Sequence, residues 1–359
     1  MKTVRDTPDL KDKKILVRTD FDVPVENGKI RQSLRVQKQK PLIDQLVLAG
    51  SKVLLVAHIS AIDSFSVIFG ELEQLLGRKI IFIKTPEDIA GFLAGSKPLG
   101  LLENTRTWPG EKDNDQSLAQ RLAQGFDFYI NNDFAVCHRE HASVVAITKL
   151  LSVYAGPLIV EEVKQLKRAL TEPAQDKIVI MGGAKASTKV PVIKSFLRNA
   201  QAVLVGGIIA NDILKARGQD VQQSIVDDDA EKLLAGVDLT DKRLWVPSDF
   251  VIDDGKFLDI GAESISRFIG EIRTAKMIIW NGPMGMFEKD KFMVGTKAIA
   301  EAIVNSSAFS IIGGGDTISA VDQLGLLGKF SFVSTGGGAM LMFLGNQKLP
   351  GLDALGYYE

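Results

Sequence analysis

A single cysteine, Cys137, in 359 residues excludes an intramolecular disulfide and argues against a cysteine-based zinc site. Excess charge is also missing. Lys+Arg total 43 against 44 Asp+Glu, a formal net charge of −1, so no overall basic field exists to hold nucleic acid or an anionic membrane. Long apolar runs are absent: the stretch from Ala202 to Ala210 breaks at Asn211-Asp212, far short of a membrane span. The opening Met1-Lys2-Thr3-Val4-Arg5-Asp6 lacks the apolar core of a signal peptide, and a soluble cytoplasmic protein is expected. There is no Gly-x-x-x-x-Gly-Lys-Ser/Thr, which excludes a Walker-type phosphate loop. Gly-x-Gly-x-x-Gly is missing too, which weakens a dinucleotide-dependent dehydrogenase reading.

What is present is a regular alternation. Hydrophobic residues at 45% and charged residues at 24% are those of a globular chain and exclude disorder. Strands are predicted at Lys14–Val17, Lys52–Val56, Lys79–Ile83, Gly100–Leu102 and Phe126–Ile130 in the first half. In the second half they fall at Lys177–Met181, Ala202–Val205, Arg243–Val246, Lys276–Trp280, Phe309–Ile312 and Phe330–Val333. Most are continuously apolar, as strands buried on both faces of a parallel sheet must be. Helical patterns such as Asp115–Ala123, Val190–Leu197 and Gly295–Val304 lie between them, which implies an α/β architecture. Eleven strands exceed one ordinary open sheet, so two sheets and two domains are expected. The join is placed at the turn Ala155-Gly156-Pro157, followed by a linker helix over Leu158–Leu170.

In open α/β sheets ligands bind beyond the carboxyl ends of the strands, and the two halves differ there. In the first half Asp20 and Asp22 follow the first strand and His58 the second. Glu103-Asn104 with Arg106, then Asn131-Asn132 with His138, Arg139 and His141, follow later ones, and Arg35 lies in a helix-like stretch shortly after the first strand. Guanidinium groups bind carboxylate and phosphate bidentately, so this set suits a small, multiply anionic ligand. Taken singly, an exposed Arg is more often a solvated or ion-paired surface residue than a ligand, His58 also reads as a satisfied core histidine, and Cys137 reads as a small buried hydrophobe rather than a nucleophile.

Strands of the second half end in glycine: Gly182-Gly183-Ala184-Lys185, Gly206-Gly207, Asn281-Gly282-Pro283-Met284-Gly285, Gly313-Gly314-Gly315-Asp316-Thr317 and Gly336-Gly337-Gly338. Glycine lets backbone N–H groups approach phosphates, and a following helix N-terminus adds partial positive charge. Lys185 and Lys189 are candidates to meet phosphate, and Asp316 to meet magnesium beside phosphate oxygens. Five such turns in one half point to a nucleotide site.

Together these motifs resemble the phosphoglycerate kinase family, from Ile15 to Leu355. The most specific blocks are Trp280–Gly285 with Phe287-Glu288, Gly313–Thr317, and Ser334–Ala339; Gly182–Lys185, Leu101–Arg106 and His138-Arg139 through His141-Ala142-Ser143 also match. The resemblance implies two Rossmann-like three-layer αβα domains with mainly parallel sheets, joined by a hinge helix. Residues 1–156 would hold the acidic substrate and 157–345 the nucleotide, with 346–359 returning to the first domain. It implies the reaction 1,3-bisphosphoglycerate + ADP ⇌ 3-phosphoglycerate + ATP with Mg2+, hinge closure, small-molecule substrates only, and a monomer. Carried over by motif, the acid would meet Asp20, Asp22, Arg35, His58, Arg106 and Arg139. The nucleotide would meet Gly182, Gly183, Lys185, Lys189, Gly206, Asn281, Glu288 (on the ribose), Gly313, Gly314, Gly315, Asp316 and Thr317. Asp316 would sit by the metal, and Arg35 and Lys185 would stabilise the transferred phosphoryl group.

The sequence departs from the family in places. Asp-Phe-Asn-Val-Pro becomes Asp20-Phe21-Asp22-Val23-Pro24, replacing a hydrogen-bond donor by a carboxylate that only accepts. His-Leu-Gly-Arg-Pro becomes His58-Ile59-Ser60-Ala61-Ile62, so a substrate-binding Arg is missing. The region before Leu101 is short, Ala135 replaces a glycine, Thr188 replaces an Asp, and Ile208 stands where the family has a third glycine. Weaker phosphoglycerate binding is the expectation. A relative that binds nucleotide without activity, or a kinase for another acid, is the alternative.

Overall fold

Continuous apolar runs dictate the core. In a computed structural model that describes Met1–Glu359, Ile15, Leu16 and Val17 of the first strand are fully buried, as are Ile178, Val179 and Ile180 of its counterpart in the second half. A strand without a polar face needs a covered sheet on both sides, and parallel pairing with crossover helices supplies it.

Twelve strands form two six-stranded parallel sheets. The first contains β1 (Lys14–Arg18), β2 (Lys52–Val56), β3 (Ile81–Ile83), β4 (Leu99–Leu102), β5 (Phe128–Asn131) and β6 (Ser152–Ala155), in the order β3-β4-β2-β1-β5-β6. The second contains β7 (Lys177–Met181), β8 (Ala202–Val205), β9 (Leu244–Trp245), β10 (Met277–Asn281), β11 (Phe309–Gly313) and β12 (Phe332–Ser334), in the order β9-β8-β7-β10-β11-β12. That second order is the doubly wound dinucleotide-fold order, with its reversal between β7 and β10. In the first sheet the reversal lies between β1 and β5.

All eleven strands expected from the sequence are present, with ends shifted by a few residues. The twelfth, β6, sits in a segment read only as the approach to a turn. Two short antiparallel hairpins, Val25–Glu26 with Lys29–Ile30 and Phe250–Asp253 with Lys256–Ile260, form separate two-stranded sheets.

The helices that matter for the sites are α1 (Leu34–Leu48), α2 (Pro157–Thr171), α3 (Ala186–Leu197), α4 (Gly207–Ala216) and α5 (Gly315–Gln323). Helix α2 starts on Pro157, whose missing N–H costs nothing in a first turn. Asn132 pins that start: its Oδ1 accepts from the Leu158 amide at 3.0 Å. A side chain at Gly156 would run into the Asn132 carboxamide, so glycine is required.

The chain divides into two compact units, Met1–Val163 with Lys348–Glu359, and Lys164–Gln347. The division falls inside α2. The C-terminal segment belongs to the first unit, where the Gly351 amide donates to the Cys137 carbonyl at 2.8 Å and the Met1 amine to the Gly356 carbonyl at 2.7 Å. No helix is long and apolar enough to cross a membrane.

Candidate active site

The carboxyl ends of β1, β2, β4 and β5 bring the polar residues of the first unit together. Its centre is Arg18, the last residue of β1, fully buried. Arg18 Nη1 lies 3.0 Å from Asp133 Oδ2, and Nη2 lies 2.6 Å from His58 Nδ1. A guanidinium only donates, so His58 Nδ1 is the acceptor and the proton of the neutral ring sits on Nε2. That nitrogen faces Asp22 Oδ2 at 3.4 Å. The other Asp22 oxygen accepts from the Ser60 amide at 2.7 Å, and Ser60 Oγ accepts from Arg106 Nη1 at 2.5 Å.

Asn104 and Glu103, after β4, fix the segment that follows His58. Asn104 accepts from the Ile59 amide and donates to the Ile59 carbonyl at 2.9 Å; Glu103 accepts from the Phe65 amide at 2.9 Å. Arg35, in the first turn of α1, meets Asp20 Oδ1 at 3.1 Å. Arg139 is exposed, and Arg106 is half-buried with a buried Nε that has no partner. Asp20, Asp22, Arg35, His58 and Arg106 are thus linked through short contacts, with Arg18 and Asp133 beneath them.

The electrostatics differ from a simple Arg and His cluster. Burial lowers His58 and His138 below the ordinary histidine range and pushes His141 down to about 3, with the charge of Arg18 adding to the effect there. All three rings are neutral at pH 7, and the positive charge belongs to arginine alone. Complete burial pushes Asp20 up to about 7; Arg35 opposes the rise, while Asp133 and Asp22 add to it. Burial also opposes the Asp22 charge, but His58 and Ser60 outweigh it and hold that carboxyl well below the usual range. Asp22 is therefore ionised.

In the second unit the loops after β7 and β10 meet at the reversal of strand order. The Gly182 amide donates to the Asn281 carbonyl at 2.9 Å and the Gly183 amide to the Pro283 carbonyl at 2.7 Å. This backbone contact leaves no room for a Cβ on Gly182 or Gly282, and Gly282 has φ +94°. Lys185 takes the left-handed conformation, φ 67°, at the start of α3, a strained state of the kind found at functional turns. Lys189 Nζ, one turn on, donates to the Ala184 carbonyl at 2.5 Å. Burial pushes Lys189 down to about 8, partly offset by Asp316.

The Asn281 side chain donates to the Gly313 carbonyl at 2.9 Å, and Thr317 Oγ1 accepts from the Gly282 amide at 2.6 Å. Thr317 is buried and its hydroxyl supports the loop, whereas Gly315 and Asp316 are exposed at the start of α5. Gly183, Gly207, Ile208, Pro283, Glu288 and Asp316 line one cavity of about 200 Å³, closed on another side by Ile225, Phe257, Leu258 and Met286. It offers apolar walls, a glycine-rich floor and a carboxylate at each of two places, as a nucleotide pocket does. Gly206 lies beside Met284 at the head of α4, and Gly314, φ +95°, packs on Asn281.

Several participants were not singled out in the sequence. Arg18 is one, although a charge at the end of an apolar strand is itself a signal. Glu111, fully buried, accepts from the Ser143 hydroxyl at 2.6 Å and lies 3.8 Å from His141. Asp227 accepts from the Ala186 amide at 2.9 Å, where α3 begins.

The family model for phosphoglycerate kinase matches residues 4–347. The chain belongs to the phosphoglycerate kinase family. It is 36% identical over 391 residues to the phosphoglycerate kinase of Pelotomaculum thermopropionicum, covering 99% of this chain and 98% of that one. It is 38% identical to that of Trichodesmium erythraeum, covering 97% and 96%. Among solved structures, the phosphoglycerate kinase from Pyrococcus horikoshii superposes with a TM-score of 0.89 at 27% identity, over 99% of this chain and 98% of that one. Membership makes the chain a phosphotransferase acting on small molecules, one of them a nucleotide.

Proposed function

We propose that the chain moves a phosphoryl group reversibly between 1,3-bisphosphoglycerate and ADP, with the acid held by the first unit and the nucleotide by the second. The observation that carries this assignment to residues is that Arg106 and Arg139 follow strand ends of one sheet, with Arg35 in the first turn of α1 against Asp20, while Gly182–Lys189 and Gly313–Thr317 follow strand ends of the other.

Phosphoryl transfer needs alignment and charge neutralisation more than covalent help. Arg106 is half-buried, and its guanidinium is a candidate partner for an anion. Arg35 and Lys185 supply the positive charge for the transferred group and its leaving oxygen. In this reading the nucleotide base would take the apolar wall of the cavity, Glu288 in the same lining would serve the ribose, and the N-terminus of α5, where Asp316 lines the cavity, would serve the phosphates. A magnesium ion travelling with the phosphates needs few protein ligands, and the exposed Asp316 carboxylate fits as one. When bound, the ion neutralises phosphate charge.

A coupled assay of ATP formation from 1,3-bisphosphoglycerate and ADP tests this. Turnover abolished in Lys185→Ala and in Arg35→Ala is expected. No turnover in the unmodified protein despite nucleotide binding would remove the acid assignment.

A further inference from the structure

Lys185 stands at the head of α3 with φ 67°, a conformation that costs any residue but glycine free energy and lasts only where its neighbours hold it. Two hydrogen bonds do so, one on each side. The peptide before Lys185 is fixed through the Ala184 carbonyl, which accepts from Lys189 Nζ at 2.5 Å. The peptide after it is fixed through the Ala186 amide, which donates to Asp227 Oδ2 at 2.9 Å. Peptide groups are planar, so orienting these two planes sets both dihedrals of the residue between them. Ala186 is fully buried, and a first-turn amide has no acceptor inside its own helix. A lysine side chain has no acceptor to offer, and Thr188 donates its hydroxyl to the Lys185 carbonyl at 3.1 Å. The acceptor comes instead from Asp227, 41 positions beyond Ala186.

Asp227 is itself gripped by α4. Its amide donates to Asp212 Oδ1 at 2.8 Å, and one residue earlier in that helix Asn211 Nδ2 donates to the Ile225 carbonyl at 3.1 Å. Asp212 is fully buried, and the Asp227 amide is its one hydrogen-bond partner in the protein. A buried carboxylate with so little compensation adds little to stability, which points to what the bond holds in place. We propose that Asp227, clamped by Asp212, is a positioning residue that fixes the Lys185 turn so that the Lys185 amine meets the transferred phosphoryl group. This rests on the role given to Lys185 above. Ile225 and Asn211 line the nucleotide cavity, so one short segment joins the wall of that cavity to the turn carrying Lys185.

Hydrogen exchange of the substrate-free full chain, read over Gly183–Lys189 by mass spectrometry, tests the clamp without any turnover. Steady-state assays of ATP formation test its consequence. In Asp227→Ala, exchange over this turn is expected to quicken about tenfold, with β7 and β10 unchanged. Its kcat should fall about 10–100-fold, by more than KM for ADP moves, because misplacing a charged group acts on the transition state more than on binding. Asp227→Asn keeps an oxygen for the Ala186 amide without the charge and should bring both readouts back near those of the unmodified protein. Adding Asp212→Ala to Asp227→Ala should cause little further loss, since the two act in series; additive losses would take Asp212 out of the clamp. Unaltered exchange and kcat in Asp227→Ala overturn the proposal. So does an Asp227→Asn protein as impaired as Asp227→Ala, which would make the effect one of charge at the helix terminus. Faster exchange in Asp227→Ala without turnover in any protein, the unmodified one included, keeps the clamp and removes the kinase reading. Turnover that Lys185→Ala abolishes and Asp227→Ala leaves intact keeps the kinase reading and removes the clamp.

Discussion

Arg18 and Asp133, both with side chains completely removed from solvent, face each other at 3.0 Å across the point where the strand order of the first sheet reverses. A guanidinium so placed does three jobs: it neutralises Asp133, fixes the His58 tautomer, and hydrogen-bonds the Thr19 carbonyl at 2.6 Å. Removing one partner of a buried pair leaves an uncompensated charge, typically at about 3–5 kcal/mol. Asp133→Asn is therefore expected to lower stability by about 3 kcal/mol in urea unfolding. The paired replacement Arg18→Met with Asp133→Leu should cost clearly less than the two single changes added together. Additive costs would show that the two residues do not act as a pair.

Asp20 gives the first unit a pH dependence of definite sign. Its folded value of about 7 lies above the ordinary carboxylate range. Between about pH 4 and pH 7 the native state then holds a proton that the unfolded chain has released. The stability it contributes is full at low pH and lost as pH rises through 7. Urea midpoints measured from pH 5 to pH 8 should fall with pH, and Asp20→Asn should flatten that slope. A slope unaltered in Asp20→Asn would assign it to another group.

The sheets were legible because burial on both faces writes an unbroken apolar run, as in Ile15–Val17 and Ile178–Ile180. Strand β6 was not, because Ser152–Ala155 is a half-exposed edge strand that runs straight into the Gly156-Pro157 turn. Glycine turns such as Gly182–Gly183 were legible because the backbone contact with Gly282-Pro283 admits nothing else. The network under the acid site was not. Arg18 and Asp133 lie 115 positions apart in the chain; their pairing, and the neutral state of His58 that follows from it, exist only once β1 and β5 are neighbours.

Lys189 makes nucleotide affinity depend on alkaline pH. Burial lowers it to about 8, so it carries its charge at pH 7 and loses it above. The ADP dissociation constant is expected to rise between pH 7 and pH 9. Losing one charge-assisted contact costs about 1.5–3 kcal/mol, so Lys189→Met should bind ADP about 10–100-fold more weakly at pH 7. It should also show no further loss toward pH 9. A parallel pH profile in Lys189→Met would take this lysine out of phosphate binding.

Gly282 tests the meeting of the loops after β7 and β10. Its φ of +94° excludes most side chains, and a Cβ there would run into the Gly182 carbonyl. Gly282→Ala must therefore move the Gly182–Gly183 turn, a strain of about 1–3 kcal/mol or more. Loss of ADP binding together with a lowered unfolding midpoint is expected. Near-normal ADP affinity in Gly282→Ala would mean that the turn's position is not what binds the nucleotide.

Ala61 is exposed, immediately after Ser60, on the segment whose amide Asp22 holds. An arginine introduced there would meet two competing anions, the substrate and Asp22. In the unmodified background Ala61→Arg should pair with Asp22 and gain little for 3-phosphoglycerate. In the Asp22→Asn background the same guanidinium has no resident partner, and a charge-assisted contact of about 1.5 kcal/mol would tighten binding about tenfold. Titration of the four proteins of this double-mutant cycle separates the two terms. A gain that is larger with Asp22→Asn than without it identifies Asp22 as the competitor; equal gains in both backgrounds would show that the carboxylate does not reach the segment's cation.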